Sequence, residues 1–496
     1  MEITELFDRA DFSRDKHAAS GIPLLIDKTD AIVNNETEHT IIFGETGSKK
    51  TRCCIRPLIT MLAGARESMF VTDVEGELSS DPKMIGFLNE KGHNTVFIDF
   101  KNFDGDGYNI FEHAFRLYCA GKTDKAMAAV VSLVNALMTK YSADNDPIWH
   151  ITAEEQLIPT IHILFEVCRN KPEYHKYINI LTLSNFCNYN GTMLLKHIVE
   201  TYWDDINNSS LSMLRGFYSI AAAEKMFSSV LGFTLSAFKD FLMQEKLLKM
   251  LSVSTFEVND MYTKPTCVFL IIPDETSAYD EISGLLIDTF YCQLLDAFSD
   301  KYQNKQAPDC RINWVCDEFC NLRINDMKAK ISASRSREMR WYLVCQSKTQ
   351  LESVYREAAS TIIGNCKNTL FLQSSDIEML KYISEMCGKT CITDRDEDEP
   401  IISVERLKAL KKTREHKEAV YFRDELKYLT LLADIDQYDF LNSYADYQIK
   451  NISKLSELTV ESYMPLVFLH DLQNEVVPTP FLTETIKKEE EQPYVY

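Results

Sequence analysis

The chain has 496 residues, enough for about three folding units. Its 45% hydrophobic and 26% charged residues are ordinary globular composition and exclude a disordered or fibrous chain. Lys+Arg 53 against Asp+Glu 74 leaves −21, so the surface as a whole repels nucleic acid and anionic lipid, and any contact with them needs a local basic stripe or a lined channel. The 14 cysteines show no paired CxxC spacing of a zinc site, and several sit in apolar runs such as TCVFLII, as expected in a reducing compartment. The first residues, MEITELFDRADFSRDKH, lack the apolar run of a signal peptide, and no stretch reaches the ~18 apolar residues of a membrane span.

In chain order, residues 1–37 read as a polar N-terminal segment. Short apolar runs then follow at His39–Phe43, Ser68–Thr72 and Thr95–Phe100, and again at Thr266–Ile272, Ile312–Cys316, Trp341–Cys345 and Asn368–Leu372. They are continuously hydrophobic rather than alternating, which is how strands covered on both faces of a parallel sheet read. The expectation is an α/β fold, split into a first part at 38–120 and a second at 263–450. Residues 121–262 between them read as an inserted all-α domain. Met127, Val130, Val131, Val134 and Leu137 mark one apolar stripe in a helix over Thr123–Tyr141. Further helices are expected at Ala153–Cys168, with Pro159 as a kink or break, at Met193–Trp203 and at Glu224–Leu251. Residues 451–496 form a C-terminal extension ending in the acidic tail KKEEEQPYVY.

Three strand ends carry chemistry. HTIIFGETGSKKTR fits the phosphate-loop pattern G-x-x-x-x-G-K-[ST] as Gly44, Glu45, Thr46, Gly47, Ser48, Lys49, Lys50 and Thr51, except that Lys49 stands where the second glycine belongs. Backbone N–H groups at a helix start would cradle phosphates, with Lys50 on the β/γ-phosphates and Thr51 on Mg²⁺. Two readings of Lys49 stand open: it points outward or adds charge while the loop still wraps phosphate, or the loop binds poorly. The CGKT at Cys387–Thr390 lacks the first glycine and a preceding strand. INWVC is followed at once by Asp317 and Glu318, either a solvated helix start or a pair that holds the Mg²⁺ shell (Asp317) and polarises the attacking water (Glu318). WYLVC ends in Gln346, either a strand terminator or a γ-phosphate sensor. Between those two strands, in KAKISASRSREMR, Lys328, Lys330, Arg335, Arg337 and Arg340 stand against one acid, Glu338. Arg335 or Arg337 could act as an arginine finger on a neighbouring subunit, or the stripe could face a phosphate backbone or simply solvent.

Taken together these motifs resemble the TraG-type coupling ATPases of conjugation and type IV secretion, relatives of the FtsK/HerA P-loop ATPases. The resemblance rests on IIFGETGSKKTR, on SMFVTDVEGEL (with Glu75 where the family has Lys), on DGYNIFEHAF and on DPIWHITAEEQLI. It rests most on DEF, S-x-x-R-x-R and Q-S-x-x-Q-L in order within residues 314–372. It covers residues 38–450 and implies a RecA-like P-loop core with mostly parallel sheet and an inserted all-α domain for substrate recognition. It further implies an ATPase using ATP and Mg²⁺ in ATP-driven delivery of relaxase-bound single-stranded DNA or protein to the secretion channel. Residues Gly44 to Arg52 would bind nucleotide, Thr51 and Asp317 the metal, and Glu318, Gln346, Arg335 and Arg337 would serve hydrolysis. A homo-hexamer in the cytoplasm at the inner face of the membrane is implied. Such proteins usually carry N-terminal membrane helices; here either a membrane-anchored partner is used or an anchor has been lost. The alternative function is a non-hydrolysing receptor or scaffold with a degenerate loop; a DNA pump outside secretion fits the inserted domain less well.

Overall fold

The computed structural model describes residues 7–27, 30–138, 147–201, 208–220, 223–275, 279–302, 307–392, 397–449, 454–459, 463–465 and 468–469. It divides into two compact units, residues 1–105 with 257–452, and residues 106–256 with 453–496. Among the described residues no helix is long and apolar enough to cross a membrane.

The first unit begins with a three-stranded antiparallel sheet, β1 (Asp8–Asp11), β2 (Pro23–Ile26) and β3 (Asp30–Val33), in the order β1-β3-β2. Residues 7–37 are therefore not a polar extension: Phe7, Ala10, Leu24, Ala31 and Val33 are buried in the same core as Leu432 and Tyr421. Next come β4 (Thr40–Gly44), β5 (Ser68–Val74), β6 (Asn94–Asp99), β7 (Asp104–Gly105), β8 (Thr266–Ile272), β9 (Ile312–Cys316), β10 (Met339–Cys345) and β11 (Asn368–Gln373). A small hairpin, β12 (Lys389–Ile392) with β13 (Glu397–Pro400), carries the CGKT residues away from β4. The strands β14 (His416–Arg423) and β15 (Leu426–Ala433) complete a ten-stranded sheet ordered β15-β14-β11-β4-β10-β9-β5-β8-β6-β7.

Seven neighbours from β11 to β6 run parallel. Every residue of β8, β9 and β10 is buried, which is why these strands are apolar without alternation. Phe70, Trp314 and Trp341 stand in register on adjacent strands, and the two indoles stack at 4.8 Å. Because the seven strands point one way, the residues that follow β4, β9 and β10 emerge on a single edge.

The opposite edge is held by a buried ion cluster. Glu67 pairs with Arg340, which is 0% exposed, and accepts from Arg311 Nε at 2.8 Å. It also accepts from Ser20 Oγ at 2.8 Å and Asn313 Nδ2 at 3.0 Å. Burial alone would raise the Glu67 carboxyl, but Arg340 and Arg311 outweigh it and hold it below the ordinary value.

In the second unit the described elements are helical. Helix Glu112–Cys119 packs on Thr123–Met138, so the helical unit begins near 106 rather than 121. In Thr123–Met138 the buried face is Ala126, Val130, Leu133, Val134, Leu137 and Met138, while Val131 lies exposed. Pro147–Cys168 is one helix through Pro159; the Thr160 hydroxyl donates to the Gln156 carbonyl one turn back. The stretch expected as one helix over Glu224–Leu251 is broken into Glu224–Ser236, Lys239–Leu242 and Glu245–Met250. Part of the C-terminal extension belongs to this unit: Phe468 stacks on Tyr177 at 5.8 Å, and Asn179 donates to the Tyr463 carbonyl. The tail KKEEEQPYVY lies outside the described residues.

Candidate functional site

The loop after β4 curls back on itself because Gly44 has no side chain: a Cβ there would lie 2.5 Å from Ser48 Oγ and 3.1 Å from Lys50 Cγ. Gly47 takes φ +79° and Lys49 φ +71°, the left-handed region that a phosphate loop normally gives to glycine. The Ser48 N–H donates to the Glu45 carbonyl, and Ser48 Oγ is buried with no hydrogen-bond partner. Thr46 lies exposed, and half-buried Thr51 opens a π-helical turn, Thr51–Ile55, that runs into the helix Arg56–Gly64.

The buried Lys50 Nζ lies 2.9 Å from Glu318 Oε1. The other oxygen, Glu318 Oε2, accepts from Gln346 Nε2 at 3.0 Å. Three motifs separated by up to 296 positions in sequence thus meet at one crevice. Asp317 lies buried beside them, its Oδ1 accepting from the Glu318 N–H. Burial first, then the Glu318 charge, push the Asp317 carboxyl up to about 7, with Lys50 opposing. A cavity of about 160 Å³ opens next to the pair, lined by Asp274, Asp280 and Asn321 among others. Glu75, exposed and at φ +66°, has Asp274 beside it, which raises its carboxyl, with Lys101 opposing.

Several expected phosphate-loop side chains turn elsewhere. Glu45 accepts from Gln373 Nε2 and the Ser375 N–H at the end of β11. Lys49 Nζ leaves the loop for Asp434 Oδ2 and the Arg414 carbonyl, both at 2.7 Å. Arg52 grips Asp434 through Nη2 and Nε and reaches Asp436 as well. Lys412 donates to the Gly47 carbonyl. Asp434, Lys412 and Arg414 were not singled out by sequence; the one available signal was an acid directly after the apolar run of β15, the same arrangement as Asp317 after β9.

The basic stretch is also dispersed. Lys330 is buried against Asp288 at 3.1 Å and Arg340 against Glu67, so neither belongs to an exposed stripe. Lys328 and Arg335 are exposed, and Arg337 donates to the Ala333 carbonyl. Arg335 and Arg337 precede β10, whereas Gln346 follows it, so the seven-residue strand puts about 20 Å between them. These arginines do not join the crevice of their own chain.

The family described as type IV secretory system conjugative DNA transfer matches residues 11–422. The chain belongs to this family. Solved structures of the bacterial conjugative coupling protein TrwB share its RecA-like P-loop fold, as expected from the motifs. An unbound monoclinic form has TM-score 0.56 at 14% identity, over 86% of this chain and 93% of that one. A form in complex with ADP and Mg²⁺ gives 0.58 at 14%, over 90% and 97%. One in complex with the GTP analogue GDPNP gives 0.57 at 15%, over 89% and 92%. No curated protein sequence matches the chain.

Proposed function

We propose that this family member is a coupling ATPase that binds and hydrolyses ATP with Mg²⁺ and uses it to deliver relaxase-bound single-stranded DNA, or protein, to a type IV secretion channel. The observation that carries this reading is the Lys50–Glu318–Gln346 cluster at the strand ends. The residues fit the group: the loop needs glycine at Gly44, and the buried Ser48 hydroxyl lacks a partner. The loop from Gly44 to Thr51 would hold the phosphates, and Thr51 with Asp317 the Mg²⁺ ion; bound ATP supplies the anhydride whose cleavage drives transfer. Lys50 exchanges Glu318 for phosphate oxygens, which frees Glu318 Oε1 to accept a proton from water while Gln346 keeps the carboxylate oriented. Arg335 or Arg337, remote from the crevice of their own chain, suit a role on a neighbouring subunit of a homo-hexamer. In this reading the protein works on the cytoplasmic side of the membrane, at its inner face.

ATP turnover measured with and without single-stranded DNA tests the reading. Wild type is expected to hydrolyse ATP faster with DNA present, and Lys50→Ala to lose turnover in both conditions. Turnover equal to that of Lys50→Ala would refute it, and nucleotide binding without turnover would make the chain a non-hydrolysing receptor.

Proton linkage follows from Asp317. A metal ligand must be ionised, so Mg²⁺-dependent nucleotide affinity is expected to fall as pH drops below about 7, by up to about tenfold per unit. Binding should release a proton, visible by calorimetry in buffers of different ionisation enthalpy. Because the folded carboxyl sits above its ordinary 3.8, folding stability declines as pH rises from there to about 7. Asp317→Asn should remove both dependences and raise Tm at pH 8; an unchanged Tm would refute the buried-charge account.

A further inference from the structure

The geometry points to Lys49 and Asp434 as a latch that sets the phosphate loop in its binding shape, making Lys49 a positioning residue that does not touch phosphate. This inference rests on the nucleotide-binding reading above.

Lys49 occupies a left-handed backbone position where any Cβ is strained, a cost that glycine would avoid. The strain persists only if something over-determines it. Here the long side chain runs outward to a carboxylate that is 1% exposed, with the lysine itself 13% exposed. The Lys49 ammonium also closes on the Arg414 carbonyl. Arg52, one turn along, holds the same carboxylate, so Asp434 is anchored from two points on the loop and helix start. Burial would raise Asp434, yet Arg52 and Lys49 keep it below the ordinary value, so the carboxylate is ionised when it grips them. Lys412 reaches the Gly47 carbonyl from the same strand-connecting segment. The outer side of the loop is therefore clasped by residues 412–414 and 434–436. The missing glycine is offset by a partner 385 positions away.

The alternative, that Lys49 adds charge to the phosphate site, predicts something different. Lys49→Gly and Lys49→Met both delete the ammonium and leave Asp434 paired with Arg52, but only Met keeps a Cβ at positive φ. Affinity for ADP with Mg²⁺ would be measured by calorimetry on the full chain, with thermal unfolding alongside. Under the latch, Lys49→Gly binds within about threefold of wild type, and Lys49→Met binds about tenfold more weakly than Lys49→Gly. Asp434→Asn should also weaken binding, and Lys49→Gly placed in that background should restore it. Equal losses in the Gly and Met variants would overturn the latch, as would an Asp434→Asn loss that Lys49→Gly leaves in place. Wild-type protein that binds no nucleotide would overturn the nucleotide-binding reading itself, and that result is read from the wild-type arm alone. If Asp434→Asn fails to fold, the Gly–Met pair still decides.

Discussion

Glu318→Gln is expected to hydrolyse ATP about 10²–10⁴-fold more slowly than wild type while holding the nucleotide more tightly. The two effects have separate causes in one side chain. As a carboxylate, Glu318 is the group placed to take a proton from water, and an amide cannot do so. As an anion 2.9 Å from Lys50 Nζ, it also competes with phosphate for that ammonium. Removing its charge ends the competition, so affinity should rise several-fold, about 1 kcal/mol for a partly exposed pair. Lys50→Ala should do the reverse on binding and also lose turnover. Single-turnover kinetics beside equilibrium binding separate the two. A variant that loses turnover and affinity together would show that the carboxylate supports the loop rather than competing with its ligand.

Glu67→Ala is expected to destabilise the α/β unit by about 3–5 kcal/mol, because it strands Arg340, a fully buried guanidinium, without a counter-charge. That corresponds to a fall in Tm on the order of 10 °C. The carboxylate also bridges Arg311 and Ser20, so the bases of β9 and β10 and the segment between β1 and β2 loosen together. With its pKa held below the ordinary 4.5, its stabilisation is present above that pH and lost as acid titrates it in the fold. Denaturant unfolding at pH 7 and pH 4 would check both points. A loss below about 1 kcal/mol would mean that Asn313 and Ser20 satisfy Arg340 unaided.

What could be read beforehand follows from burial. The strands β4, β5, β6, β8, β9, β10 and β11 are covered on both faces and declare themselves as apolar runs, so the order of the chemical motifs at their ends was legible too. The strands β1 and β3 escaped because they are only four residues long: DRAD buries Ala10 alone between charged residues, and the three buried residues of DAIV are too short a run to stand out. The β14–β15 hairpin escaped because LKYLTLLA turns Leu429 and Leu431 outward at the sheet edge, which breaks the continuous pattern. Arg340 and Lys330 looked like surface charge because sequence spacing does not reveal acids such as Glu67 and Asp288 that come from distant elements. The Lys49–Asp434 pairing was hidden for the same reason, and only the anomaly at Lys49 was visible.

The chain leaves the sheet after β6 and β7 and returns in β8, which lies directly beside β6 in parallel register. Its ends are thus tethered at a fixed, short separation by the sheet itself. Closing a longer excursion between such ends adds only about 0.6 kcal/mol for each doubling of length. A helical insertion of another length between β7 and β8 should therefore be tolerated at small energetic cost, with the register of the strands that carry Lys50, Glu318 and Gln346 untouched.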